Sequence, residues 1–233
     1  MPNELLLILS LILIYACVVL FYRFLGKSGL YCWTVLATIA ANIEVLIVVN
    51  AFGMEQTLGN ILFASTFLVT DILSETEGKR AANKAVLIGI LTSGAFILIS
   101  QSWMLYTPNS NDWASPAIAS VFSNTPRLML SSIIVFAYHA IWAKTTKLCS
   151  DSHKFLWLRN NGSTLVSQFF NTFLYTFAAF WGVYELKTLM NIVLSSYVIF
   201  IFTSLLDTPA VYIARRMAPS AKKEPEDHYK NAA

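Results

Sequence analysis

The stretch LLLILSLILIYACVVLFY, residues 5–22, runs eighteen residues without a charged side chain. A helix rises about 1.5 Å per residue, so this run nearly spans the roughly 30 Å hydrocarbon core of a bilayer. No positively charged segment precedes it and no small-residue cleavage site follows. It is also longer than an ordinary signal core, so it reads as a retained membrane helix. The rest of the chain repeats the pattern. Of 233 residues, 56% are apolar and 12% charged, and the mean hydropathy is +0.60. A soluble domain carries about twice that share of charge. The composition excludes a soluble globular protein, a disordered chain and a nucleic-acid binder with a broad basic face. The sequence predicts an all-α, polytopic membrane helix bundle whose main partner is the lipid bilayer.

Seven stretches are predicted to cross: 5–22, 30–52, 58–74, 84–106, 122–143, 162–184 and 186–213. The third is the shortest and most polar, and a six-span arrangement holds if the first or third is re-entrant or interfacial. The loops test the count, because Lys and Arg collect on the cytoplasmic side. Arg23 and Lys27 follow the first span; Lys79, Arg80 and Lys84 the third; Lys144, Lys147, Lys154 and Arg159 the fifth. Arg215, Arg216, Lys222, Lys223 and Lys230 follow the seventh. These are 14 of the 16 basic residues; only Arg127 and Lys187 fall on the other side. The expected topology has the N-terminus outside and the C-terminus inside. Residues 1–217 form the predicted transmembrane domain and 218–233 a disordered cytoplasmic tail. The outer loop 107–121, with Asp112 and Trp113, reads as a connector or as a gate.

Ionisable groups inside spans cost about 2.5–3.5 kcal/mol at mid-membrane and need a partner, a cavity or a function. Counting helical rise back from Phe52 puts Glu44 roughly 12 Å deep, and counting in from Phe122 puts Arg127 roughly 8 Å deep. These two are expected to meet, either as a structural salt bridge or as the polar wall of a substrate cavity. Asp71 and Asp207 lie near the inner ends of their spans, with Glu75 one turn beyond Asp71. Arg159 stands at the inner mouth of the sixth span, and an inner acidic cluster with Arg is expected. His139, in the fifth span, is either a satisfied core histidine or a proton relay.

The sixth span carries the clearest pattern. Thr164, Gln168, Asn171 and Tyr175 follow i, i+4, i+7, i+11 and share one face; Val166, Phe170, Phe173 and Phe177 share the other. A polar line in a membrane helix should look inward, to hydrogen-bond neighbouring helices or to line a ligand site. Each amide offers donors and an acceptor, which suits an amide-like or purine-like ligand. Tyr138, Tyr175 and Trp181 are candidates for stacking on a flat ring. Three scattered cysteines show no metal spacing, and there is no P-loop, no HExxH and no GxSxG. No cofactor, metal or catalytic residue is expected.

Three further runs point to a family. They are Phe52–Gly53 with Thr57–Leu58–Gly59, FLVTDILSE (67–75) and Gly78–Lys79; LWLRNNGST (156–164) with Gln168 and Phe180–Trp181–Gly182; and Asp207–Thr208–Pro209 with Tyr212. Together they resemble the queuosine precursor transporter family, part of the vitamin uptake transporter group. The resemblance implies an inner (plasma) membrane importer of 7-deazaguanines such as preQ0 and preQ1, feeding tRNA queuosine salvage. It implies a deazapurine partner, with Glu44, Asp71, Arg127, Gln168, Asn171, Tyr175 and Asp207 as candidate substrate-binding residues. Glu75, His139 and Arg159 are the candidates for gating or coupling. A homodimer is left open. The chain departs from its relatives at Asn171–Thr172, where many carry Asp-Thr. Two other readings are an S-component-like binding subunit that needs a separate energising module and, more distantly, an intramembrane enzyme acting on a lipid.

Overall fold

The computed structural model of the protein describes residues 2–148 and 156–217. It is a helical membrane bundle. Helix α1 (Asn3–Glu44) has 42 residues, about 63 Å of helix and twice a bilayer's hydrocarbon thickness. It is broken at Gly26, whose φ of 58° and ψ of −145° are open to glycine and costly for any other residue. The chain doubles back there. Lys27 sits 4.0 Å from Glu77, and the Asn3 amide returns to the carbonyl of Asn50 at 2.9 Å. The arms 3–25 and 27–44 are therefore antiparallel.

Past α1 the structure departs from the expected span 30–52. The helix stops at Glu44, and residues 47–57 form a β-hairpin, β1 (Val48–Ala51) paired antiparallel with β2 (Met54–Thr57). Phe52 and Gly53 make its two-residue turn with φ of 54° and 73°, both positive, as the turn type that matches strand twist requires. The hairpin is clamped to the start of α1. Glu4 accepts a hydrogen bond from the Phe52 amide at 3.1 Å, beside the Asn3–Asn50 bond, and Ser195 of the last helix donates to the Glu55 carbonyl at 2.7 Å.

The remaining helices are α2 (Gly59–Thr76), α3 (Lys79–Trp103), α4 (Ser115–Phe122), α5 (Thr125–Leu148), α6 (Leu156–Phe180) and α7 (Leu186–Met217). Among the described residues α1, α3, the segment Ser115–Tyr138 and α7 are long and apolar enough to cross a membrane. The more polar α2 lies at the centre, against α1, α3 and α7, with Leu68, Val69, Ile72 and Leu73 fully enclosed. Large apolar side chains such as Leu13, Leu98 and Leu194 stand exposed on the outside of the bundle, where a lipid-facing surface needs them.

The loop between α3 and α5 is ordered by its own polar groups. The Ser115 hydroxyl and the amides of Ser115 and Ala114 bind the Asp112 carboxylate and hold it below the usual carboxylate range. Phe122 then packs edge-on against Phe96 and Trp103, and Gln101 donates to its carbonyl at 3.0 Å. Trp113 stands free of the bundle at 86% exposed. Part of the expected inner loop (149–155) and the expected tail (218–233) lie outside the described residues.

Candidate functional site

Helix α6 turns its polar stripe inward. Gln168, Asn171, Thr172 and Thr176 are buried, whereas Val166, Phe169, Phe170 and Phe173 are exposed. Asn171 donates to the Gln168 side-chain oxygen at 3.4 Å, and the Thr172 hydroxyl satisfies the Gln168 carbonyl at 2.6 Å. The side chain of Thr164, first in the stripe, is outside the described residues.

Four other segments meet this face. Asn42, near the end of α1, donates to the Thr38 carbonyl at 2.7 Å; its oxygen accepts from Ser132 of α5 at 2.9 Å and from Tyr175 at 3.5 Å. Asn60, in the first turn of α2, donates to Ser196 of α7 at 2.9 Å. Asn42, Asn60, Ser132 and Ser196 were missed by the sequence reading. Asn42 follows Thr34 and Thr38 at i+8 and i+4, a buried stripe whose helical spacing was the signal that could have found it. Asn60, Ser132 and Ser196 stand among other small polar residues of their spans that do not single them out. Together with Asn171, Thr172, Tyr175 and Thr176, all four line one cavity. Three rings border it: Phe63, Tyr175 and Phe200, with Phe63 to Tyr175 at 6.2 Å and 30°. Of the three aromatic candidates, Tyr175 is on the cavity wall. Trp181 is 61% exposed and Tyr138 packs against Phe170.

The cavity volume is about 30 Å³, room for about one water. A flat ring between two others needs roughly 7 Å from ring to ring, twice an ordinary carbon contact. Phe63 and Tyr175 must therefore part by about 1 Å to admit one. In this conformation the described walls leave no room for such a ring.

The expected Glu44–Arg127 pair does not form. Glu44 is the last residue of α1 rather than two turns inside it, because the hairpin replaces the predicted end of that span. Arg127 instead serves backbone: Nε donates to the Ala178 carbonyl at 3.0 Å and Nη2 to the Trp181 carbonyl. It thereby satisfies the last carbonyls of α6, where a cation is favoured. Arg127→Met should lower stability by about 1 kcal/mol, because part of the guanidinium is exposed and its bonds are screened. A thermal melt in detergent checks this. Ligand affinity should stay within twofold of wild type, and a large selective loss of affinity would return Arg127 to the binding site.

Comparisons with known proteins decide the family. The sequence model described as "Putative vitamin uptake transporter" matches residues 57–214. A Bacillus subtilis (strain 168) protein named "Probable queuosine precursor transporter" is 36% identical over 211 residues, covering 88% of this chain and 92% of its own. The chain belongs to the vitamin uptake transporter family. No solved structure matches it.

The other acidic candidates of this family member stand apart from its cavity. Asp71 lies eight residues past the lining residue Phe63 along α2, about 12 Å, and Asp207 seven past the lining residue Phe200 along α7, about 10 Å. Neither lines the cavity, so their expected place beside Asn171 is corrected; Gln168 is not in the lining either and reaches it only through its bond from Asn171. The two aspartates group instead at the far end of the bundle. Asp207 accepts a 2.5 Å hydrogen bond from the Tyr15 hydroxyl, which also reaches the Thr203 carbonyl at 3.4 Å. Asp71 is within electrostatic range of Asp207 and Glu75. Glu75 pairs with Arg215 at 3.7 Å. The arginine found at this acidic end is Arg215, where the sequence reading had named Arg159. The side chains of Arg159 and His139 are outside the described residues. Tyr15, which ties α1 to α7, carried no periodic signal. Among the described residues no group of three His, Cys, Asp or Glu is arranged to hold a metal ion.

Proposed function

We propose that the chain is an importer of queuosine precursors, small 7-deazaguanines, and that it carries them without chemical change. The observation that carries this reading is the 36% identity, over most of both chains, to a relative named as such a transporter. The cavity supports it. A deazaguanine is planar with a hydrogen-bonding edge, and this cavity offers aromatic rings with amides and hydroxyls from five helical segments. Unpaired polar edges are penalised in a dry site, so matched donors and acceptors are what such a ligand needs. A site between helices that must widen to admit its ligand fits alternating access.

The proposed setting is the inner (plasma) membrane, crossed by both arms of α1 and by α2, α3, α5, α6 and α7. The N-terminus is outside and the C-terminus inside. Basic residues support the orientation, since Arg23, Lys27, Lys79, Arg80, Arg215 and Arg216 fall at one end of the bundle. Glu75, and by extension Asp71 and Asp207, would then stand at the cytoplasmic gate.

The test is salvage in a host that lacks both precursor synthesis and its own importer. Expression of this chain should restore queuosine in tRNA when preQ0 or preQ1 is supplied in the medium. A host that makes the folded protein in its membrane and recovers none from either precursor overturns the proposal.

A further inference from the structure

The cavity has no charged wall. Its described lining is made of amides, hydroxyls, aromatic rings and small or aliphatic side chains, with no Asp, Glu, Lys, Arg or His. The nearby charges are committed elsewhere or lie outside it. Arg127 is taken up by the Ala178 and Trp181 carbonyls, and Asp71, Glu75 and Asp207 are about two turns or more beyond the nearest lining residues, Phe63 and Phe200, along their helices. Glu44 ends α1 just ahead of the lining residue Val45 and is not itself part of the wall.

One lining group is left open. Asn171 is 2% exposed, and its Oδ1 is buried without a hydrogen-bond partner. Its amide nitrogen already leans on Gln168. A buried acceptor without a donor is costly, so its presence in the cavity wall marks a place for a ligand N–H. The donor it calls for need not be charged, and none of the described lining residues could neutralise a cation. A cation held in a dry, neutral cavity keeps its full desolvation cost.

We propose that this site selects the uncharged member of its substrate class, and that Asn171 and the rest of the uncharged wall set that choice by offering a ligand N–H a neutral acceptor and an amine no counter-charge. The inference rests on the importer reading and deepens it. The nitrile precursor preQ0 is neutral. The aminomethyl precursor preQ1 carries a primary amine, which like lysine's is a cation at pH 7. Wild type should therefore favour preQ0 strongly, and a carboxylate placed in the wall should rescue preQ1.

The experiment is uptake of labelled preQ0 and labelled preQ1 into proteoliposomes that contain this chain, at one pH and matched concentrations. The expected wild-type ratio of initial rates is at least tenfold in favour of preQ0. Asn171→Asp should cut that ratio at least fivefold by raising preQ1 uptake. Asn60→Asp, elsewhere in the lining, should shift it the same way and serves if the first variant folds poorly. Wild-type rates within twofold of each other overturn the charge selection while leaving the importer reading intact. A wild-type preference that neither folded aspartate variant moves overturns the role given to the neutral wall. Uptake of neither compound by folded wild-type protein overturns the importer reading and this inference with it.

Discussion

Gly59→Val is expected to leave little or no folded protein. Glycine 59 opens α2 directly against the end of α1. A Cβ there would lie 2.5 Å from the Ala41 carbonyl oxygen, 2.9 Å from the Val45 nitrogen and 3.2 Å from the Val45 Cα. All three obstacles are backbone, so no side chain can rotate away. Relief requires moving α1 and α2 apart where Ala41, Asn42, Val45, Gly59 and Asn60 wall the cavity. Overpacking typically costs 1–3 kcal/mol when side chains can adjust. With none to adjust, about 3 kcal/mol or more is expected for valine, and somewhat less for alanine. Fluorescence size-exclusion and a thermal melt in detergent read the outcome. A monodisperse Gly59→Val protein that melts within 2 °C of wild type would show that the two helices are not held in this contact.

Tyr15→Phe should be the most damaging loss of a single atom at the other end of the bundle. The hydroxyl joins α1 to α7 through its 2.5 Å bond to Asp207. Interhelical hydrogen bonds in membranes average about 0.6 kcal/mol. This one should exceed that average, because deleting the donor leaves a carboxyl without its partner, for a total of about 2 kcal/mol. Asp207→Asn keeps an oxygen able to accept from Tyr15 and should cost less than half as much. The two variants, compared by thermal midpoint and by precursor uptake, separate the hydrogen bond from the carboxyl itself. A tyrosine deletion milder than Asp207→Asn would mean that the tie between α1 and α7 is not what the pair supplies.

The sequence carried some of this architecture plainly and some not at all. Gln168, Asn171 and Tyr175 were legible because helical periodicity sets them on one face, and their neighbours Val166, Phe170 and Phe173 had to look the other way. The hairpin was not legible by hydropathy. Val48, Val49 and Ala51 are as apolar as a membrane helix, and only the Phe52–Gly53 turn distinguishes them. That one misreading carried Glu44 from a helix end into the membrane and made a partner for Arg127 out of it. The true partners of Arg127 are main-chain carbonyls, which leave no mark in a sequence. Asp71 and Asp207 were placed correctly near one end of their helices. Yet helix position says nothing of which polar groups share a cavity, and the structure puts them beside Tyr15, not beside Asn171. Asn42 ends a Thr34, Thr38, Asn42 row that helical spacing makes legible, whereas nothing in the sequence brings Asn60, Ser132 and Ser196 together and they join the site only through packing.

The clamp that joins Asn3 and Glu4 to the hairpin has a bearing on biogenesis. Every group it uses lies within the first 52 residues. Chains are made from the N-terminus, and contacts between nearby residues close sooner than distant ones. The clamp can thus latch while most of the polypeptide is still on the ribosome. One rim of the cavity, at Asn42 and Val45, is then in place before the helix bearing Asn171 has been synthesised.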